Sequence, residues 1–265
     1  MSRLLQDKVF ISTRPDGQAD ELAQLFTNAG ATVIEMPLVK IQPAHLSEIE
    51  KKYFEQLHHF QWLIFTSTNG VRYFFENLQK IQGNQNLPAS LQLAVIGDKT
   101  GQVLNSFGYK ATFANPGSTG EDFAEYFIQK IQTENTKPNI LLAFGNIARN
   151  VIQNRLNESA NCTRLNLYET KSPETIDNKA IQLILSDQYE MLLFTSPSGI
   201  RNLLKLAKEI QPEKLRIACI GETTANAAIE NNISPVVVAK NSTVGGLFES
   251  VLNYYKNIKQ QKLQL

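Results

Sequence analysis

The sequence predicts an α/β protein with two parallel-sheet domains, and three observations carry this. Short apolar runs of strand type alternate with helical stretches that show one apolar stripe. Turns rich in Ser, Thr, Asn and Gly end the strands and open the helices. The plan also recurs. WLIFTSTNGVRYFFENL at 62–78 returns as MLLFTSPSGIRNLLKLA at 191–207, with Ser67, Gly70 and Arg72 matching Ser196, Gly199 and Arg201 at a constant spacing of 129.

From the N-terminus, VFIS is a strand and Arg14-Pro15-Asp16-Gly17 its turn. Leu22, Leu25 and Phe26 give the apolar face of a helix that Gly30 ends in a left-handed cap. A second strand begins at Val33 and runs through Pro37 to Ile41, completing a βαβ unit with a parallel pair. A helix over 46–59 precedes the first repeated motif, whose own helix covers 71–80. LQLAVIGDKTGQVLNSFG gives a strand, a turn at Gly97 and a helix, and ATFANP gives a short strand. Ser118 to Glu121 has capping-box spacing ahead of a helix ending near Ile131.

After the polar stretch 133–138 the plan restarts: Phe10 corresponds to Leu141 and Arg14 to Gly145, at a spacing of 131. The strand RLNLYET corresponds to the one containing VIEMPLV, and a helix over 175–186 follows. The second repeated motif comes next. Then LRIACIGETT opens a stretch that matches 91–127 at a spacing of 124, pairing Gly97 with Gly221, Thr100 with Thr224 and Ser118 with Ser242. The polar tail beyond Tyr255 is expected to fray. The class is two Rossmann- or flavodoxin-like parallel-sheet domains related by internal duplication. Two tandem domains cut near residue 135 fit the pattern. So does a swapped arrangement in which strands 33–41 and 164–172 pair and carry the chain across and back, leaving 1–35 with 173–265 in one domain and 42–165 in the other.

The totals narrow the function. At 265 residues with 42% apolar and 19% charged content, the chain has material for two cores. A net charge of +1 gives no basic field for nucleic acid, so an anionic ligand must be held by local dipoles and a few placed Arg or Lys. Cys162 and Cys219 lie far apart, and Cys219 sits in an apolar run as an inert thiol. His45, His58 and His59 lack Cys or carboxylate partners at ligand spacing, so no metal site is expected. No apolar run reaches the length of a membrane span and Arg3, Asp7 and Lys8 interrupt any signal peptide, so a cytoplasmic protein is expected.

Four turns end a strand and open a helix: Ser67-Thr68-Asn69-Gly70, Gly97-Asp98-Lys99-Thr100, Ser196-Pro197-Ser198-Gly199 and Gly221-Glu222-Thr223-Thr224. Each should stand at the carboxyl edge of its sheet, where free helix N–H groups and hydroxyls attract anions. Ser, Thr and Asn also serve there as ordinary helix caps. Arg14, Arg149, Lys99 and Arg201 are the cations placed to face carboxylates, while Arg72 and Arg201 also suit a solvated helix face. The same scaffold suits an enzyme or a non-catalytic clamp that closes on a small polyanion. A nucleotide-dependent transferase fits less well, because no GxGxxG or GxxxxGK[ST] follows a predicted strand.

The strings ISTRP, LIFTSTNGV, AVIGDKT, LYET, LLFTSPSGI and CIGETTANA resemble uroporphyrinogen-III synthases, in the family's order and over roughly residues 8–250. The resemblance implies the swapped arrangement, with 36–41 and 166–172 as a two-stranded crossover and the active site in the cleft between domains. It implies a cofactor-free lyase that takes hydroxymethylbilane, a linear tetrapyrrole with an acetate and a propionate on each ring. Water is lost from the hydroxymethyl carbon and the macrocycle closes with inversion of the last ring, through a spiro intermediate. Tyr168 is implied as the proton or hydrogen-bond donor to the departing hydroxyl. Arg14, Ser67, Asn69, Gly70, Lys99, Thr100, Arg149, Ser196, Ser198, Gly199, Thr223 and Thr224 are the candidates to hold the substrate. Many members carry Arg-Gly where this chain has Phe144-Gly145, and Arg149 is the nearby charge that would stand in. A monomer is expected, receiving substrate by transient handover from hydroxymethylbilane synthase, with no nucleic-acid or membrane partner.

Overall fold

The structure, a computed structural model, describes residues 4–17, 20–115, 119–132 and 136–263. In chain order it forms β1 (Val9–Ser12), α1 (Asp20–Asn28), β2 (Thr32–Glu35), β3 (Lys40–Pro43), α2 (Glu48–Glu55), β4 (Trp62–Phe65), α3 (Thr68–Gln82), β5 (Gln92–Val95), α4 (Asp98–Ser106), β6 (Phe113–Ala114) and α5 (Gly120–Ile131). It continues with β7 (Asn139–Gly145), α6 (Val151–Leu156), β8 (Asn161–Lys171), α7 (Asn178–Leu185), β9 (Met191–Phe194), α8 (Pro197–Leu206), β10 (Ile217–Cys219), α9 (Glu222–Ile229), β11 (Val237–Val238) and α10 (Val244–Leu263). The chain divides into two compact units, Met1–Ile41 with Lys171–Leu265 and Gln42–Thr170.

The discontinuous unit carries a sheet of order β11-β10-β9-β1-β2 with parallel pairings throughout. Its central strands β1, β9 and β10 are buried on both faces, and alternation assigns the faces. Ile11, Leu192 and Phe194 pack with Ile181, Ile200 and Leu203 of α7 and α8, and with Ala225 and Ala228 of α9. Phe10, Met191 and Leu193 pack with Leu22 and Phe26 of α1 and with Leu247, Val251 and Tyr255 of α10. This is why VFIS and MLLF read as near-continuous apolar runs: a parallel sheet covered by helices has no solvent face.

The continuous unit has the sheet order β3-β8-β7-β4-β5-β6. The pairs β4–β5, β4–β7, β5–β6 and β7–β8 are parallel. Leu63, Phe65, Leu141 and Ala143 face Phe54 of α2, Phe74, Phe75 and Leu78 of α3, and Leu104 of α4. Trp62, Ile64, Ile140 and Leu142 face Phe123, Phe127 and Ile131 of α5 and Ile152 and Leu156 of α6.

Four sequence expectations need correction. The strand expected from Val33 to Ile41 is two strands, because Pro37 has no N–H for a ladder. Around it, Met36 N–H and Leu38 N–H bond to the carbonyls of Ser12 and Thr13 instead. The capping box before α5 is Thr119 with Asp122, and Ser118 lies outside the described residues. The helix expected from 175 starts only at Asn178, because the Asp177 carboxylate accepts the Lys179 N–H as its cap. Beyond Tyr255 the tail is helical as far as it is described, since α10 runs to Leu263.

The hold on α10 is chemical as well as apolar. Glu190, just before β9, accepts a hydrogen bond from Tyr255 Oη at 2.7 Å and one from Lys8 Nζ at 2.8 Å. Burial pushes the Glu190 carboxyl up, but the bonds from Lys8 and Tyr255 outweigh it and hold the group below its ordinary value. A depressed carboxylate contributes stability above its unfolded value, and that contribution is lost as pH falls through the folded value. Glu190→Gln should therefore melt below the wild type at pH 7, with a deficit that shrinks as pH drops below about 4. Thermal unfolding of both proteins across that pH range checks this, and a constant deficit would contradict it.

Candidate active site

The two TSxxG turns adopt one local geometry. Ser67, the N-cap of α3, is extended at φ −156°, ψ 155°, and its Oγ accepts the Gly70 N–H at 3.0 Å. Ser196 caps α8 at φ −159°, ψ 152°, and its Oγ accepts the Gly199 N–H at 3.4 Å. Both helices follow a fully buried strand, β4 or β9, so their first N–H groups stand at the carboxyl edge of the sheet. The turns at Gly97 and Gly221 open α4 and α9 without a side-chain cap bond.

In the discontinuous unit, Arg14, Ser196, Ser198, Gly199, Thr223 and Thr224 lie in the segments that leave β1, β9 and β10. Ser196 Oγ and Ser198 Oγ are 2.9 Å apart. Thr13, which sequence reasoning passed over, donates its hydroxyl to the Leu193 carbonyl at 2.9 Å and ties the Arg14 turn to β9. Burial lowers the Arg14 guanidinium below its usual value while Glu21 raises it, so a cation is held where water is partly excluded. Thr223 is exposed and Thr224 is buried, so only the first of these hydroxyls faces solvent.

In the continuous unit, Ser67, Asn69 and Gly70 open α3, Lys99 and Thr100 open α4, and Arg149 follows β7. Thr100 is buried and Lys99 exposed. Arg149 follows Gly145 by four residues. Its side chain is 77% exposed and lies 3.6 Å from Glu121. The guanidinium over the Phe144 ring is that of Arg164, 5.0 Å from the centroid. Arg164 donates to Asn150 Oδ1 at 2.6 Å, to Asn166 Oδ1 at 2.9 Å and to the carbonyls of Gly145 and Ala148 at 3.0 Å each. It thereby pins the turn after β7, and its own burial lowers its guanidinium value.

Tyr168 is where the continuous unit converges. Strands β7 and β8 run in register from Asn139 opposite Asn161 to Phe144 opposite Asn166, and then Gly145 stands opposite Tyr168. One extra residue in β8 breaks the alternation, so Tyr168 packs on the same cluster as Leu165 and Leu167. Its Oη lies 3.0 Å from Ser67 Oγ. Its ring stacks on Tyr73 with centroids 5.7 Å apart and planes at 22°. Burial raises the Tyr73 phenol, with Glu76 adding and Arg72 opposing, so Tyr73 stays neutral at working pH. Two glycines permit this approach. A Cβ at Gly145 would stand 2.5 Å from two Tyr168 ring atoms, and a Cβ at Gly70 would stand 2.8 Å from the Ala143 carbonyl oxygen. Sequence reasoning missed Tyr73, Arg164 and the service of Gly145 to Tyr168. The aromatic three residues after Gly70 was the one available signal.

This is a phenol held against a helix-capping hydroxyl at the edge of a parallel sheet, in a chain whose equivalent turns gather N–H groups. The family described as Uroporphyrinogen-III synthase HemD matches residues 20–249. The chain belongs to the uroporphyrinogen-III synthase family. The match covers every candidate residue except Arg14. The Porphyrin biosynthesis protein HemD of Ruminiclostridium josui is 27% identical over 255 residues, 95% of this chain and 49% of that protein, so the chain spans about half the length of this relative. The uroporphyrinogen-III synthase of Synechococcus elongatus is 28% identical over 204 residues, 75% of this chain and 74% of that one. The solved uroporphyrinogen-III synthetase of Helicobacter pylori aligns over 94% of this chain and 99% of its own, at a TM-score of 0.63 and 19% identity, which shows the shared α/β fold.

Gly145→Ala should push the Tyr168 ring out of its place over β7 at a cost of about 1–3 kcal/mol, the range for overpacking. Near-ultraviolet circular dichroism and thermal unfolding check this, and an unchanged aromatic signal with unchanged stability would contradict it.

Proposed function

We propose that this chain acts as a uroporphyrinogen-III synthase, converting hydroxymethylbilane into uroporphyrinogen III with Tyr168 as the proton donor to the departing hydroxyl. The observation that carries the reading is the 3.0 Å approach of Tyr168 Oη to Ser67 Oγ on the first turn of α3, within a chain of this family. The net change is loss of one water. The hydroxymethyl C–O bond breaks and the carbon so freed bonds to the substituted α-carbon of the last ring, giving a spiro intermediate. The bond from that α-carbon to its bridging methylene then breaks, the methylene re-bonds at the ring's other α-carbon, and the proton there is released. Unassisted closure occurs without inversion, so the protein's main task is to hold one folded conformation of a flexible chain.

The candidate residues divide this work. The turns opening α3, α4, α8 and α9 offer N–H groups to the substrate carboxylates, each contact contributing roughly 0.3–1 kcal/mol when exposed and about 2 when partly buried. Arg14, held partly out of water, adds a charge-assisted contact. Asn69, Lys99, Arg149, Ser198 and Thr223 are the remaining polar groups on these edges. We read the two units as products of one duplication, which the matching cap geometry of Ser67 and Ser196 supports, with 36–41 and 166–172 as the connecting segments. A monomer in the cytoplasm, supplied by hydroxymethylbilane synthase, fits a chain whose two cysteines are free thiols.

The test generates hydroxymethylbilane in place from porphobilinogen and its deaminase, adds the protein and separates the oxidised porphyrin isomers. Type III product is expected, and type I alone from folded protein would move the chain to the binding class. Tyr168→Phe should lower turnover by about 10- to 100-fold without unfolding the protein, whereas a wild-type rate would remove Tyr168 from the chemistry.

A further inference from the structure

Two side chains around Tyr168 have no part in the proton transfer as described. Tyr73 stacks on its ring from α3. Ser67 has a single hydroxyl that meets two groups, accepting the Gly70 N–H at 3.0 Å and lying 3.0 Å from Tyr168 Oη. An oxygen that already accepts from the backbone keeps its own hydrogen to give. Given to Tyr168 Oη, that hydrogen turns the phenol's own proton away from Ser67. It also leaves a donor in place for the phenolate, at a helix N-terminus where negative charge is favoured.

We infer that Ser67 and Tyr73 are positioning residues for Tyr168: Ser67 donates to Tyr168 Oη and so commits the phenol proton to the substrate, while Tyr73 clamps the ring over Gly145. The inference rests on Tyr168 being the proton donor. The Tyr168 O–H bond breaks as its proton joins the departing hydroxyl. The C–O bond breaks with its electron pair on that oxygen, which leaves as water. The phenolate recovers a proton when the closing pyrrole ring loses one. Ser67 gives up no proton at any stage. Its role is thus distinct from carboxylate binding, because its one hydrogen is already committed. Ser196, at the equivalent position, meets Ser198 at 2.9 Å instead. The cap is shared by both units, but the serine hydroxyl meets a phenol at Ser67 and a second serine hydroxyl at Ser196.

A double-mutant cycle tests this. Turnover and KM are measured for Ser67→Ala, Ser67→Thr, Tyr73→Leu, Tyr73→Phe and Ser196→Ala, each alone and combined with Tyr168→Phe. Ser67→Ala should lower kcat about tenfold, in line with loss of a hydrogen bond to a charge, and change KM by less than about twofold. Tyr73→Leu should lower kcat by roughly two- to tenfold, in line with a lost ring stack, and Tyr73→Phe should keep it. Ser67→Thr, which retains hydroxyl and cap, should restore most of the rate. In the Tyr168→Phe background Ser67→Ala should cost nothing more, whereas Ser196→Ala should cost the same in both backgrounds. If Ser67→Ala fails to fold, Ser67→Gly keeps a tolerated cap residue and replaces it. A slow Tyr168→Phe enzyme that Ser67→Ala slows by its full factor overturns the positioning role alone. A Tyr168→Phe enzyme at the wild-type rate overturns both the proton donor and the residues assigned to it.

Discussion

The candidate site depends on one break in a ladder. A strand shows its side chains to alternate faces, so residues 164, 166 and 168 belong on one side and 165 and 167 on the other. The register shift at Phe144–Gly145 removes Tyr168 from the side of Arg164 and Asn166 and sets it on the side of α3. Under unbroken alternation Tyr168 would fall on the side of Arg164 and Asn166, and Ser67 would cap a helix and nothing more. The shift in turn requires Gly145, because any Cβ there would overlap the tyrosine ring. Arg164 holds the carbonyls of Gly145 and Ala148 just beyond the shift, which keeps the disturbed end of β7 from unravelling.

The surrounding architecture explains why so little else is needed. A parallel sheet buries both faces, so the places where strands turn into helices are where backbone N–H groups remain for a ligand. Such turns repeat in both units, made mostly from Ser, Thr, Asn and Gly rather than from a basic patch. That suits a chain of net charge +1 under the proposed function, whose substrate carries carboxylates on every ring. Binding spread over many weak, directional contacts also selects a conformation, which is the demand that ring closure with inversion makes.

Much of this was legible in the sequence because it rests on local rules. The α/β class followed from buried runs such as WLIF and MLLF, and the caps at Ser67 and Ser196 from their spacing to Gly70 and Gly199. What escaped depends on partners distant in sequence. Nothing near Tyr168 announces that Ser67, 101 residues away, meets its hydroxyl. Arg164 looked like an ordinary strand residue because its acceptors lie in a turn 14–19 residues earlier. Arg149 looked like a replacement charge because sequence proximity to Phe144 was all there was to judge by, and in space it leans toward Glu121. The tail was misjudged from polarity alone, since Tyr255 and its bond to Glu190 belong to a helix that one apolar stripe suffices to dock.

The discontinuity of one unit also sets an order of assembly. Residues 42–170 form a continuous stretch with its own two-faced core, whereas β1 lies beside β9, a strand some 180 residues later. During synthesis β1, α1 and β2 emerge before the inserted stretch and then wait, with Phe10 and Ile11 lacking part of their cover, until β9, β10 and α10 follow. The inserted stretch completes in the meantime. Of its unit, this segment waits longest for its partners, and joining β1 to β9 requires closing a long loop at an entropic cost.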